Sequence, residues 1–598
     1  MSTIRISALS IENYRSFGVR QDFVFPNSNY SKPVAIIGYN NAGKSNLLNT
    51  ILFSLQVNFV SKDTFTLNDF HKKNISNIPF FLLNAESSSE KKFDGDKYAN
   101  LTGFHRLKVI IDGDEIEGSK IESLNSLELN HNGYDNINFQ AFGAARYFNI
   151  FYINFHNIKE EIVTQKTSWG NLKSFLGKHI QKIIDSDIDM NAKKDDFESK
   201  IKDATDDVLQ NSNLKSFIDV IQKNYSTNLR NNNCIVDFGL PNYEDIFLKM
   251  LFKIGLNGDT QNLIPIDHFG DGFISMFVMA VIQSIAESKI EDKCLFLFEE
   301  PESFLHENHQ EYFYKMVLCG LAEKGHQVIY TTHSDKMIDP FDTKGLIRLE
   351  MDENNQTLKK YNNIGDFNFT ETDEETGEII DYSRYNEFVK TIEPNLNRIL
   401  FSKKVILVEG PNDVLVYKHA ISKKVLEYIQ NDESIENKDK YADTFLNFEN
   451  ISIVCHHGKT TALYLIQLCK HFNIDYFVIN DWDFANEELN LEEITGFNNL
   501  NELKNDSIYK DSDKKAMMTN NWNLLNSAGI NNIHFNIKKL ENVIGYLRDD
   551  KDSLAIWNIL NSENFIINEN LFPEKLKLFL NINNNFIPNE IELEDLPF

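Results

Sequence analysis

Hydrophobic and polar positions change their period several times along this chain, and each change predicts an element. Ile4-Ile6-Leu9-Ile11 and Phe23-Phe25 place apolar side chains at alternate positions, the signature of paired strands. They lead into an unbroken apolar run, Val34-Ala35-Ile36-Ile37, which reads as a strand buried on both faces. A helix is expected over 44–56, and strands over 107–111 and 148–153. From residue 156 to about 260 the pattern turns helical and charged, with heptad-like spacings at Leu172-Ile180-Ile184 and Phe217-Val220-Ile221. Alternating elements then return: helix 272–287, strand 294–298, helix 309–322 and strand 327–331. The acidic stretch 370–378 has no apolar period and reads as a surface loop or linker. A single helix is expected over 385–400, and the strand 405–408 opens a second α/β region that runs to the end. The fold class expected is α/β, in segments 1–155, 156–262 (a helical insertion, read as a dimerisation arm), 263–395 and 396–598.

Composition narrows this reading without overturning it. With 598 residues, 42% of them hydrophobic, the chain exceeds what one core can organise. A formal net charge of −28 argues against coating nucleic acid with the whole surface, but leaves room for a local basic groove. The five cysteines include no CxxC pair, so neither a disulfide framework nor a zinc site is expected, and a reducing compartment fits. The longest apolar stretch, 273–286, is interrupted by Ser275, Gln283 and Ser284, and the N-terminus lacks the apolar run of a signal peptide. A cytoplasmic protein with no membrane partner is the expectation.

The sharpest chemical signal is Gly38-Tyr39-Asn40-Asn41-Ala42-Gly43-Lys44-Ser45-Asn46, a G-x-x-x-x-G-K-S loop between strand and helix. Glycines let the backbone curl so that successive N–H groups face phosphate oxygens, and the helix N-terminus adds positive potential. Lys44 is expected to reach the β- and γ-phosphates of ATP, and Ser45 to hold Mg²⁺. A second half-site is Leu295-Phe296-Leu297-Phe298-Glu299-Glu300-Pro301-Glu302, an apolar strand ending in carboxylates. Glu299 is expected to support Mg²⁺, through water or directly, and Glu300 to polarise the attacking water. His333, one strand later, is placed to sense the γ-phosphate.

A third constellation lies in the last third. Val405-Ile406-Leu407-Val408-Glu409-Gly410-Pro411-Asn412-Asp413 is strand, acid and turn, and Tyr476-Phe477-Val478-Ile479-Asn480-Asp481-Trp482-Asp483 is a second apolar strand ending in D-x-D. Asp413 falls in the first turn of a helix that starts near Pro411. In extended chain, Asp481 and Asp483 point the same way and can share one cation. Carboxylates clustered at strand ends suit Mg²⁺ or Mn²⁺, two of which can activate water and stabilise a leaving phosphate oxygen. The Gly458-Lys459 loop is a further candidate to touch phosphate.

The order and spacing of the ATP motifs, with the opening Ile11-Glu12-Asn13-Tyr14-Arg15-Ser16-Phe17, resemble ABC-type ATPases of the SMC, RecF and Rad50 kind. That resemblance implies a head split by the insertion, with the halves at 1–155 and 263–395. It also implies two copies sandwiching ATP. The signature of one copy would be His268-Phe269-Gly270-Asp271-Gly272-Phe273-Ile274-Ser275, in place of the usual L-S-G-G-Q, so that Gly270 and Gly272 face the nucleotide of the other. With Glu299 in place of the usual Asp, ATP is expected to act as a conformational ligand with slow turnover. The E-G-x-x-D and D-x-D region resembles the Toprim fold. An ABC ATPase followed by Toprim resembles the OLD (overcoming lysogenization defect) family, a group that includes nucleases of Gabija anti-phage defence and nucleases linked to retrons. Leu396-Asn397-Arg398-Ile399-Leu400-Phe401-Ser402-Lys403-Lys404 is similar to the approach to the family's E-G motif.

The OLD resemblance implies two-metal DNA cleavage by a Toprim domain at 396–598. Glu409, Asp413, Asp481 and Asp483 would be metal ligands, joined by Glu541 from Lys539-Leu540-Glu541-Asn542, with Lys575 or Lys577 near the scissile phosphate. It also implies double-stranded DNA as substrate and a dimer or dimer of dimers. A companion would be a helicase-like defence protein or a retron reverse transcriptase with its RNA–DNA. The competing expectation is a RecF-like DNA-binding ATPase with an inactive Toprim domain.

Overall fold

The structure is a computed structural model that describes residues 2–58, 60–89, 103–125, 148–158, 188–210, 213–229, 253–256, 259–287, 293–367, 369–372, 379–381, 385–485, 488–548 and 552–582. By contact density the chain divides into two compact units. The first is Met1–Ile36, Asn40–Met337 and Leu349–Leu358, and the second is Ile37–Tyr39, Ile338–Arg348 and Lys359–Phe598.

In the first unit, β1 (Ser2–Glu12) pairs antiparallel with β2 (Gln21–Val24). Strand β3 (Val34–Ile37) follows, and then β4 (Phe80–Ser89), β5 (Gly103–Asp112) and β6 (Glu115–Asn125). One antiparallel sheet has the order β2–β1–β4–β5–β6. Ile4, Ile6, Leu9 and Ile11 are all buried, although the step from Ile6 to Leu9 breaks strict alternation. A register shift between Ile6 and Ala8 accounts for this: one extra residue resets the phase and returns the apolar side chains to the core. The β5–β6 hairpin turns at Gly113, whose φ of 59° suits a residue without Cβ.

The next sheet is of a different kind. Strands β7 (Ile150–Asn154), β10 (Leu295–Glu299) and β11 (Gln327–Thr332) run parallel, within a sheet ordered β13–β12–β3–β11–β10–β7, where β12 is Leu346–Met351 and β13 is Thr357–Asn362. Every residue of β3, β10 and β11 is buried, which is why these strands read as continuous apolar runs. Phe151, Phe296 and Phe298 stack edge-on between neighbouring strands. Two short strands, β8 (Lys253–Ile254) and β9 (Ile264–Pro265), pair before the helix Asp271–Glu287.

The expected helical insertion appears as helices Ile188–Gln210 and Asn213–Leu229. The heptad positions Phe217, Val220 and Ile221 are exposed, so among the described residues their apolar spacing does not mark a core. Leu172, Ile180 and Ile184 lie outside the described residues. The helix expected over 309–322 is Glu307–Tyr312 continuing through a π-helical segment, Phe313–Cys319, into Gly320–Glu323.

Two expectations need correction in the second unit. The acidic stretch read as a loop begins as β14 (Thr370–Thr372), which pairs antiparallel with β15 (Ile379–Asp381). The helix expected over 385–400 stops at Ile392. Pro394 removes a backbone donor and disfavours helical φ/ψ at Glu393, so Tyr385–Ile392 is followed by a separate 3₁₀ turn, Leu396–Phe401.

Beyond this break stands a parallel sheet ordered β17–β16–β18–β19, from β16 (Lys404–Val408), β17 (Ile451–Cys455), β18 (Asp475–Asp481) and β19 (Ile533–Asn536). Lys404–Leu407 lie beside Asp475–Val478, so the two acid-bearing strands are neighbours. Helix Pro411–Tyr428 seats Val416, Tyr417, Ala420, Ile421 and Val425 in the core with Ile406, Val408, Phe477 and Ile479. No helix among the described residues is long and apolar enough to cross a membrane.

Candidate functional site

The phosphate loop joins β3 to the helix Lys44–Ser54. Gly43, at the N-cap, has φ 91°, a left-handed conformation that penalises any side chain. A Cβ there would also stand 2.4 Å from Thr357 Oγ1. Gly43→Ala is therefore expected to cost about 1–3 kcal/mol of stability and to displace the loop, measurable as a lowered Tm together with weakened nucleotide binding. A variant that melts and binds like the parent would refute the close approach. Asn41 is also left-handed at φ 66°. Ser45, Asn40 and Asn41 are exposed.

Lys44 is buried, and its Nζ stands 3.3 Å from His333 Nδ1. His333 Nε2 in turn meets Glu300 Oε1 at 2.8 Å. One tautomer satisfies both contacts, with Nδ1 accepting from the ammonium and Nε2–H donating to the carboxylate. Burial lowers the Lys44 pKa to about 8, against the opposing pull of Glu300, Glu302 and Glu299. Burial tends to raise the Glu300 pKa, but hydrogen bonds and charge from His333 and His156 outweigh it and bring the group down to about 2. His156, which contacts Glu300 Oε2, was not singled out from sequence. It follows β7, and nothing in its local pattern shows that β7 lies beside β10. Glu299 accepts from Tyr152 Oη at 2.7 Å and Asn154 Nδ2 at 3.1 Å, also from β7. Glu302 accepts from Thr332 Oγ1 and from the backbone N–H of His333, which holds the histidine's turn in place.

The opening Arg15-Ser16 turn docks on the same helix. Arg15 pairs with Asp69 at 2.9 Å and donates to Asn46 Oδ1 at 3.1 Å, while Asn46 Nδ2 and Thr357 Oγ1 both meet Ser16 Oγ. At the expected signature, Gly270 begins the helix Asp271–Glu287 and Gly272 packs so closely that a Cβ would lie 2.8 Å from the Phe304 carbonyl oxygen. Gly270 has open space around its Cβ position, and Ala42 is buried in the loop.

The second constellation gathers at the C-terminal ends of β16 and β18. Glu409 follows β16, and its backbone carbonyl accepts from His457 N–H at 3.2 Å. Asp413 lies in the first turn of helix Pro411–Tyr428, where Oδ2 accepts from Gly410 N–H at 3.1 Å. Asp481 Oδ1 accepts from Leu540 N–H at 2.8 Å, which brings the turn carrying Glu541 alongside. Glu409 Oε2 and Asp413 Oδ1 are buried without a hydrogen-bond partner. Burial, then Glu409, with a contribution from Glu541, pushes the Asp413 pKa up to about 7. Burial, Glu409 and Asp413, again with Glu541, push Asp481 up to about 8. After burial, the charge of each neighbouring carboxylate adds to the shift of the others.

The pH dependence follows from the sign of these shifts. The folded values lie above the ordinary carboxylate range of about 4, so the folded chain holds protons that the unfolded chain has released. Their contribution is favourable at low pH and is lost as pH rises toward about 8. Metal-free protein should melt several degrees lower at pH 8 than at pH 5. Mg²⁺ should restore Tm at pH 8 but not at pH 5, and Asp481→Asn should flatten the trend. A Tm indifferent to Mg²⁺ at pH 8 would count against a cation among these acids.

Three expected residues fall elsewhere. Asp483 does not continue the strand: β18 ends at Asp481 and Asp483 has φ 66°, so the two-residue period no longer applies. Its carboxylate pairs with Lys459 at 2.5 Å, and Lys459 also donates to Asn521 Oδ1. Lys514 donates to the Asp483 carbonyl at 3.1 Å and sits over the Phe484 ring. Lys575 donates to the Ile530 carbonyl, before β19, and Lys577 pairs with Glu574 on its own helix. The acids lie at the C-terminal strand ends, so neither lysine joins them. Lys459 and Lys514 are the cations the fold brings beside D-x-D.

The sequence also missed a convergence of unlike donors. Glu393, Cys455 and His457 place one donor atom each within 4.8 Å of one another, the one such trio of His, Cys, Asp or Glu found among the described residues. The expectation of no zinc site rested on the lack of a CxxC pair, and these three residues come from separate segments that spacing does not bring together.

Comparison with known proteins agrees with the two-part reading. An AAA ATPase domain family matches residues 115–338, and the TOPRIM domain of overcoming-lysogenization-defect-like proteins matches residues 400–483. The chain is 23% identical over 455 residues to Endonuclease GajA of Bacillus cereus (strain VD045), covering 72% of this chain and 69% of that one. It is 25% identical over 522 residues to the Old nuclease of Escherichia phage P2, covering 81% and 78%. Among solved structures, an Smc head domain with an extended coiled coil, bound to the C-terminal domain of ScpA from Pyrococcus furiosus, aligns with 66% of this chain at 13% identity and a TM-score of 0.33. The chain thus combines an ATPase domain with an OLD-like Toprim domain.

Proposed function

We propose that this chain is a divalent-metal-dependent DNA endonuclease regulated by ATP and acting against phage or other foreign DNA. The observation that carries the reading is the set of acids at the ends of β16 and β18, two with unpartnered carboxylate oxygens and two with strongly raised pKa values. An all-oxygen donor set with orphaned lone pairs fits Mg²⁺ or Mn²⁺. Glu409, Asp413, Asp481 and Glu541 would hold the ions, with Asp483 at the border. When bound, such ions lower the pKa of water and stabilise charge on phosphate oxygens.

The chain's own residues supply orientation and charge. Gly410 N–H and Leu540 N–H fix one oxygen each of Asp413 and Asp481, which leaves the other oxygens directed to ligand. Lys459 and Lys514 place positive charge by Asp483, where a DNA phosphate can be held without base recognition. In the head, Lys44 exchanges His333 for the phosphates of ATP, and Glu300, held by two histidines, stays ionised to orient water. A homodimer, or a dimer of dimers, provides the second head whose Gly270–Gly272 turn closes on the nucleotide. The names of two relatives, an endonuclease and a nuclease, support the nuclease activity.

The test is supercoiled plasmid incubated with purified chain in Mg²⁺ or Mn²⁺, with and without ATP and with chelator. Nicked or linear product that requires the ion supports the reading, and the ATP arms give the sign of regulation. Absence of product in every arm, with DNA binding retained, would favour a DNA-binding ATPase whose Toprim domain is inactive.

A further inference from the structure

Cys455 ends β17 and lies in register with Val408, the residue before Glu409. His457 follows with φ 56°, and its backbone N–H is tied to the Glu409 carbonyl. Glu393 is supplied by the break at Pro394. It is 4% exposed, and its Oε1 accepts from Asn395 N–H at 2.9 Å, which turns Oε2 toward His457 Nε2 at 3.2 Å. All three donors lie within 4.8 Å of one another.

We propose that Glu393, Cys455 and His457 form a binding site for a thiophilic divalent cation of the zinc class, separate from the oxygen-only acids of Glu409, Asp413 and Asp481. One sulfur, one imidazole nitrogen and one carboxylate oxygen form a set that zinc accepts and that Mg²⁺ disfavours. A tetrahedral ion with bonds of about 2.0–2.1 Å separates its nitrogen and oxygen ligands by about 3.3 Å, and the 3.2 Å spacing of His457 and Glu393 already meets this. The Glu393 backbone contact and the His457 backbone contact fix two of the three ligands in advance, so little ordering remains on binding. Burial, with the negative charges of Glu393 and Asp413, pushes the Cys455 thiol up to about 12. Glu393 and Asp413 also place negative charge near the sulfur, which a bound cation would offset. The His457 side chain is 29% exposed, so this ligand is reached from solvent. An ion here would also pin the turn that leads into Lys459, the partner of Asp483.

The test uses the full chain, stripped of metal and kept in excess Mg²⁺ to fill oxygen-only sites. Titration with Co²⁺ should produce thiolate-to-cobalt charge-transfer absorption that saturates at one ion per chain and is displaced by Zn²⁺. Cys455→Ser should abolish that band. His457→Ala, at a partly exposed position, should weaken Zn²⁺ binding at least tenfold without changing the Tm of metal-free protein, whereas Asp481→Asn should leave the band intact. No sulfur band in the parent, a band that survives Cys455→Ser, or unchanged Zn²⁺ affinity in His457→Ala would each overturn the site. None of these readouts depends on DNA cleavage, so the nuclease reading can fail while this one stands.

Discussion

Glu409→Ala should reduce plasmid cleavage in Mg²⁺ by about a thousandfold or more, a loss of roughly 4 kcal/mol in transition-state stabilisation. After burial, the charge of Glu409 is the next largest cause that raises both Asp413 and Asp481, and its Oε2 is buried without a partner. Removing it takes a ligand from any bound cation and relaxes the two aspartates toward ordinary values. The fold should survive, because Glu409 follows β16 and its backbone contact with His457 does not need the side chain. DNA binding should persist, and the metal-free Tm should hold or rise at pH 8. Asp481→Asn, which keeps shape and loses charge, should abolish cleavage to a similar degree. If either variant cleaves like the parent, these acids are not where the phosphodiester is cut.

Lys44→Ala should weaken ATP binding at least a hundredfold, about 2.7 kcal/mol. The substitution removes the ammonium that contacts His333 and that sits in the field of Glu299, Glu300 and Glu302. Without it, an incoming triphosphate meets three carboxylates and no buried cation. Titration of a fluorescent ATP analogue measures the effect directly. Normal affinity in Lys44→Ala would remove the phosphate-loop assignment. If ATP regulates cleavage, the variant should be locked at the nucleotide-free level whether or not ATP is added. A response to ATP that persists would separate regulation from this site.

Much of the architecture was legible in the chain because strong local patterns coincide with the elements. The apolar runs of β3, β10, β11, β16 and β18 are buried on both faces, so their composition alone announces them. The glycines and lysine of the phosphate loop are constrained by backbone geometry and phosphate chemistry, both local. The misreadings occurred where a short-range rule met a single exception. The run 385–400 had helical character, yet Pro394 divides it. Asp483 was given the direction of Asp481 by strand period, yet the strand had already ended. The exposure of Phe217, Val220 and Ile221 is not such a misreading, because the expectation there is a helical insertion or dimerisation arm and spacing reports a face without naming what covers it.

What the sequence determined by itself was the set of strongly patterned elements, such as the buried strands β3, β10, β11, β16 and β18, since each is encoded in a few adjacent residues. The tertiary structure alone decided which distant groups meet. Sheet order sets His156 against Glu300 and Glu409 near Asp481, and the break at Pro394 carries Glu393 to Cys455 and His457. It also withheld Lys575 and Lys577 from the acids and delivered Lys459 and Lys514 to Asp483. The physical reason is that side-chain chemistry acts over a few ångströms, whereas the order in which strands pair is settled by packing across hundreds of residues.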